Sequence, residues 1–204
     1  MLQTSGFKIR ILRFVFVLAV LLFFGCAGTV KNMREIPDEH AAYAPDEDRA
    51  LIVFMRPSGI GSAVQSSVFK LVDENPELIG IVAAKKKVAY HLDPGEHLFM
   101  VIGESADFMK ADVQPGKKYY VLVTPRMGMW KARFSLKPIH KDQLDPEKLA
   151  KWEKQCHWVE KTYESDQWAD SNMPSIESKK IKYMETWLQR PESERPALYA
   201  EDGF

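Results

Sequence analysis

The chain has 204 residues, 46% of them apolar, and a formal net charge of zero from 28 Lys plus Arg against 28 Asp plus Glu. That composition supports one ordinary core with appendages and argues against a chain that is wholly disordered or wholly embedded in a membrane. The charge balance lacks the basicity of a general nucleic-acid binder, and two cysteines, Cys26 and Cys156, are too few for a four-cysteine zinc site or a disulfide-dense scaffold.

At the start of the chain, Lys8, Arg10 and Arg13 precede an eleven-residue apolar run, Phe14 to Phe24, that ends in Gly25-Cys26. A basic start followed by a short apolar stretch and a small residue is the outline of a secretory signal peptide over residues 1–25. A spanning helix needs about 20 apolar residues, and this run stops well short of that. Leu22-Phe23-Phe24-Gly25-Cys26 resembles the lipobox of bacterial lipoproteins, with phenylalanines where the family has an aliphatic and a small residue. The resemblance implies that Cys26 carries acyl chains such as palmitate and becomes the mature N-terminus. Ala27 in place of Asp implies sorting to the periplasmic leaflet of the outer membrane. The plainer alternative for Cys26 is an unmodified thiol at the end of an uncleaved helix. Several acyl chains, each adding about 0.8 kcal/mol per buried CH₂, would hold the chain firmly in a bilayer.

Without residues 1–25 the chain carries 25 bases and 28 acids, and their distribution is uneven. Net charge runs −4 over residues 26–48, +5 over 49–140 and −4 over 141–204. The first stretch has few large apolar residues, two prolines and an acidic cluster, which predicts a flexible tether. As a random coil it would span roughly 25 Å and hold a domain just off the bilayer.

From residue 49 the pattern changes to short runs rich in β-branched and aromatic residues, punctuated by Gly and Pro every eight to twelve residues. Strands are predicted near 50–56, 63–72, 78–84, 87–92, 97–102, 107–113, 118–124 and 131–137. Turns fall at Pro57-Ser58-Gly59, Asp73 to Pro76, Asp93 to Glu96 and Gln114 to Lys117. No helical stretch of βαβ length separates any strand pair, so the expected fold is mainly β, an antiparallel β-sandwich of about seven to eight strands over residues 49–140.

A C-terminal extension of two helices is expected over residues 141–204. Leu149, Trp152, Cys156, Val159 and Tyr163 recur at three- and four-residue steps and place one apolar stripe along a helix. Asp145 fits its N-cap, Pro146 its first position, and Leu144 can staple against Leu149. Pro174 is expected to break the chain before a second helix with Ile176, Ile181, Met184, Trp187 and Leu188, ending ahead of Pro191.

The segments Ala50-Leu51-Ile52-Val53-Phe54-Met55-Arg56-Pro57, Pro94-Gly95-Glu96-His97, Gly116-Lys117-Lys118-Tyr119-Tyr120-Val121 and Pro125-Arg126-Met127-Gly128 carry a resemblance. The stretch from Arg49 to Lys137 resembles an uncharacterised family of small bacterial lipoproteins with a domain of unknown function, similar to PEGA-type β-sandwich modules. The resemblance implies a fold and a location. Its motifs are structural and transfer no activity.

The chemistry-bearing residues form no recognisable catalytic or cofactor motif. The chain has no GxSxG elbow, P-loop or dinucleotide fingerprint. His91 and His97 flank one turn, but no Asp, Glu or Cys stands at ligand spacing to complete a metal site. Cys156 and His157 are adjacent, and neighbours on a helix point about 100° apart, so Cys156 is expected to be a core thiol. Catalytic residues, metal ligands and cofactors are therefore all expected to be absent. Lys85-Lys86-Lys87 is the sharpest surface feature, a candidate contact for lipid head groups or an anionic glycan. A lysine-rich turn that protects a sheet edge, or a patch covered by the acidic tail, would look the same. The expected function is a lipid-anchored, non-enzymatic envelope module that binds or assembles, attached to the membrane through Cys26, with an envelope protein, glycan or lipid as partner and no nucleic acid. A periplasmic hydrolase with a cleft between sandwich and tail is the competing expectation.

Overall fold

Each of the eight β-rich runs between residues 49 and 140 becomes a strand in the computed structural model, which describes residues 31–38, 43–126 and 133–204. The signal segment, Cys26, and Met127 and Gly128 of the last family motif lie outside the described residues. In chain order the strands are β1 (Met33–Ile36), β2 (Ala50–Arg56), β3 (Ser66–Val72), β4 (Asn75–Val82), β5 (Lys86–Leu92), β6 (Gly95–Ile102), β7 (Ala106–Val113), β8 (Lys118–Arg126), β9 (Arg133–Pro138), β10 (His157–Lys161) and β11 (Ala197–Leu198). Two α-helices, α1 (Pro146–Gln155) and α2 (Tyr163–Leu188), lie in the C-terminal part.

The protein is mainly β, but its sheets are mixed rather than antiparallel. One has the order β1-β10-β5-β2-β8-β9 and the other β11-β7-β6-β3-β4. Parallel pairs arise at β2 with β8, β5 with β10 and β7 with β11. The cause is chain routing. The chain repeatedly leaves one sheet for the other, and β8 re-enters beside β2 from the same end. The expected turns divide accordingly. Asp73-Glu74 closes a true hairpin between β3 and β4, with Val72 paired to Asn75. The turns holding Gly95 (φ +116°) and Gly116 (φ +69°) instead carry the chain between sheets, and glycine tolerates the positive φ at each crossing.

The continuous apolar run of β2 reflects burial on both faces. Ala50, Ile52 and Phe54 point between the sheets and pack with Val68, Phe99, Val101 and Met109 of the other sheet. The Phe54 and Phe99 rings meet edge to face at 5.3 Å. Leu51, Val53 and Met55 face the opposite way, onto Leu149, Cys156 and Trp158. On the outer face of the five-stranded sheet, Phe69, Met100 and Phe108 are covered by Ala169, Ile176 and Trp187 of α2.

Asp107 of β7 joins both sheets to the end of α2. Its buried carboxylate accepts from Arg126 (3.0 Å), Ser135 (2.6 Å) and Arg190 (3.3 Å).

Two expectations for the outer segments change. The stretch expected to be a tether contributes β1, whose four residues pair with β10. The expected helical stripe from Leu149 to Tyr163 splits, because α1 ends at Gln155 and His157–Lys161 forms a strand between β1 and β5. Asp145 does cap α1, accepting from the Lys148 N–H at 3.1 Å, with Pro146 in the first turn. Pro174 does not break the chain. It lies inside α2 on an exposed side of the helix, where the Asp170 carbonyl left without its usual donor can bond water.

Candidate functional site

The three lysines expected to form one open patch are not brought together at the surface. Lys85 takes a left-handed conformation (φ +60°) just before β5 and is exposed. Lys86 is buried and ion-pairs with Glu35 of β1. Lys87 is buried too, donating to the Glu153 carbonyl at 2.8 Å with its ammonium 4.4 Å from the Trp158 ring centroid. Burial lowers the pKa of both ammonium groups. These two lysines tie β1 and α1 to β5, an inner strand of the sheet, and neither ammonium is open to a head group.

Cys156 is a core thiol, 1% exposed, and burial pushes its pKa up to about 11. Nearby lysines oppose that shift without reversing it. The folded state therefore holds this proton more tightly than the unfolded state, whose value lies near 9.0. The stability this contributes is fully present below the unfolded value and is lost as pH rises towards about 11. Lys86 and Lys87 act in the opposite direction, so the thiol is isolated by comparison with Cys156→Ala. The stability penalty of that variant should shrink by about 1–2 kcal/mol between roughly pH 8 and pH 10.5 in urea titrations. A constant penalty would contradict the assignment.

His91 and His97 do not share a face of one ladder, because β5 and β6 belong to different sheets. His91 lies 3.2 Å from Asp46, and His97 Nε2 lies 2.8 Å from the Asp93 carbonyl. Among the described residues, no group of three His, Cys, Asp or Glu side chains converges as metal ligands would.

Among the concave regions of the described residues, two bear on function. The first is a cleft of about 560 Å³ between the end of β9 and residues 199–202, lined by His140, Lys141, Asp142, Tyr199, Glu201 and Asp202 among others. His140 Nδ1 lies 2.9 Å from Asp202 Oδ2, and its ring stacks on Tyr199 at 5.7 Å. Asp202 also accepts from the backbone N–H groups of Lys141 (3.1 Å) and Tyr199 (2.8 Å). A buried carboxylate that orients an imidazole is half of a general-base arrangement. No Ser, Thr or Cys is among the residues lining the cleft.

The second region is larger and more apolar. It is a groove along the C-terminal half of α2, formed by two adjoining hollows of about 700 Å³ and 670 Å³. Leu71, Leu98, Met184 and Leu188 line both parts. Leu71 and Leu98 sit opposite each other in the ladder between β3 and β6. They share their face with Phe69 and Met100, but α2 covers that face fully only over the latter pair. Volumes of this size fall in the range of small-molecule sites, about 300–1,000 Å³.

The sequence did hold one signal for this groove. At about 100° per residue, Ile176 and Trp187 share one side of α2, whereas Ile181 and Leu188 lie about 120–140° round from Ile176. That apolar arc is wider than a single buried stripe requires, and its second half borders the groove. Leu71 and Leu98 gave no such signal, because their exposure depends on where the helix crosses the sheet. No protein-family model matches the chain, and no curated protein matches it either. Among the described residues no helix is long and apolar enough to cross a membrane.

Proposed function

We propose that this chain is a lipid-anchored, non-enzymatic lipoprotein of the cell envelope, a tethered module that binds or assembles, held in the periplasmic leaflet of the outer membrane by acyl chains on Cys26. The observation that carries the binding role is the open apolar groove beside α2, whose lining includes Leu71, Leu98, Met184 and Leu188. The basic and apolar lead-in to Gly25-Cys26 supports the anchor. The two stacked sheets are consistent with a β-sandwich of the PEGA type, elaborated by β1, β10 and β11. β1 begins at Met33, seven residues past Cys26, so an acylated Cys26 would keep the sheet edge within about 25 Å of the bilayer.

Replacing Cys26 with serine should move the protein from the detergent phase to the aqueous phase on Triton X-114 partitioning. Unchanged partitioning would remove the anchor from the proposal. The His140 and Asp202 pair favours a second reading, a periplasmic hydrolase with its cleft between sheet and tail. Ester or amide hydrolysis by the purified chain that disappears in His140→Asn would support that reading over a pure binding module.

A further inference from the structure

β4 is an edge of the five-stranded sheet, and its Ile81 N–H donates to a sulfur, Sδ of Met33, at 3.4 Å. The Ser165 hydroxyl of α2 stands 3.4 Å from the same sulfur. Among the described residues Met33 is the one methionine whose sulfur accepts hydrogen bonds. Its methyl group is seated just as closely. A Cβ on Gly80 would stand 3.0 Å from Met33 Cε and 3.1 Å from Val88 Cγ2, and Gly80 has no positive φ, so glycine is needed there for room alone. Half-buried against the core between the sheets, Met33 thus ties β1 of one sheet to β4 of the other and to α2.

A thioether suits such a seat because it packs as an apolar group and still accepts weakly. It is also oxidisable. We infer that Met33 is an oxidation-sensitive latch, and that conversion of its thioether to the sulfoxide releases β1 from the folded body. With hypochlorous acid as the oxidant, a sulfur lone pair forms the new S–O bond, the O–Cl bond breaks, and chloride and a proton leave. Sulfur loses the two electrons that chlorine gains. The positions open to that oxygen are those already facing the Ile81 N–H and the Ser165 hydroxyl, and a 3.4 Å contact has no room for a third heavy atom. Cε, held against Gly80 and Val88, keeps the thioether from turning away. The oxidant therefore meets the sulfur when β1, an edge strand of four residues, lifts by local opening, and the sulfoxide cannot reseat. Release bares the outer edge of β10 and adds Met33 to Ile36 to the length of chain that precedes the folded body. Met55, Met100 and Met109, all 0% exposed, lie in the core and have no such opening. The inference goes beyond the binding reading and uses neither the groove nor the anchor.

The test treats the purified full chain with graded hypochlorous acid, maps sulfoxide by peptide mass and follows amide exchange. Conversion of Met33 should run ahead of Met55, Met100 and Met109, and exchange at Ile81 and across β1 should quicken about tenfold in step with it. Methionine sulfoxide reductases A and B, one for each epimer, should restore slow exchange. Met33→Leu fills the same seat without an oxidisable sulfur, so its exchange at β1 should not respond to the oxidant. Gly80→Ala should open β1 with no oxidant at all, because its methyl group meets Met33 Cε. Full conversion of Met33 with unchanged exchange at Ile81 would overturn the latch. So would a response of Met33→Leu equal to that of the unaltered chain, or conversion of Met33 no faster than that of Met55, Met100 and Met109.

Discussion

Replacing Trp187 with alanine is expected to cost about 3–5 kcal/mol, the range for deleting a large buried aromatic side chain. Trp187 is 2% exposed and its ring lies 5.8 Å from that of Phe108, at the point where α2 meets the five-stranded sheet. In a chain of this size the melting temperature should fall by about 10 °C or more. Trp152 of α1 is the internal comparison. It is only half-buried against the other sheet, so Trp152→Ala should cost about 1–2 kcal/mol. Urea titration of both variants decides the matter, and similar penalties would contradict the difference in packing between the two helices.

The second large effect is expected at Asp202, which is 3% exposed. Alanine there leaves the backbone N–H groups of Lys141 and Tyr199 without an acceptor and frees His140. Each orphaned donor costs roughly 1–3 kcal/mol, so the variant should lose about 2–4 kcal/mol. The loss should spread along the strap formed by residues 199–204. Phe204 exchanges backbone hydrogen bonds of 3.0 and 3.1 Å with Lys118 of β8, and Lys141 donates to the Gly203 carbonyl at 3.0 Å. Amide exchange at Phe204 should therefore quicken in Asp202→Ala and remain slower in Asp202→Asn, which keeps one carbonyl acceptor. Unchanged exchange at Phe204 would show that the strap does not depend on this carboxylate.

The eight strands between residues 49 and 140 were legible because each holds a run of β-branched or aromatic residues bounded by Gly, Pro or Asp. Ala50–Arg56 was found at its observed bounds for that reason. β10 was not legible. Cys156 and Val159 extend the helical spacing of Leu149 and Trp152, while Trp158 and Val159 are both buried because β10 lies inside a sheet with packing on each face. β11 has two residues and β1 four, too short for any period to be counted. Pro174 misled for a different reason. A proline inside a helix costs about 3 kcal/mol, yet contacts made by Ala169, Ile176 and Trp187 on either side of it offset that cost. The lysine run looked like a solvated patch because sequence shows charge and not company. Glu35 and the Glu153 carbonyl, which meet Lys86 and Lys87, lie about fifty and sixty-six residues away in the chain.

The pairing of β1 with β10 has a mechanical consequence. Any pull applied through the residues before Met33 reaches the folded body first at this strand. β1 runs antiparallel to β10, with Met33 opposite Lys161 and Ile36 opposite Trp158. A force along the β1 axis from its leading end loads all four residue pairs in shear, so they must fail together rather than unzip one at a time. The side chains of Thr162 and Ser165 donate to the Asn32 carbonyl just ahead of the strand, and the Arg34 to Glu160 and Lys86 to Glu35 ion pairs clamp its middle. The short edge strand is thus built as a strain-relief clip, which would keep tugging at the leading end from reaching the core between the sheets.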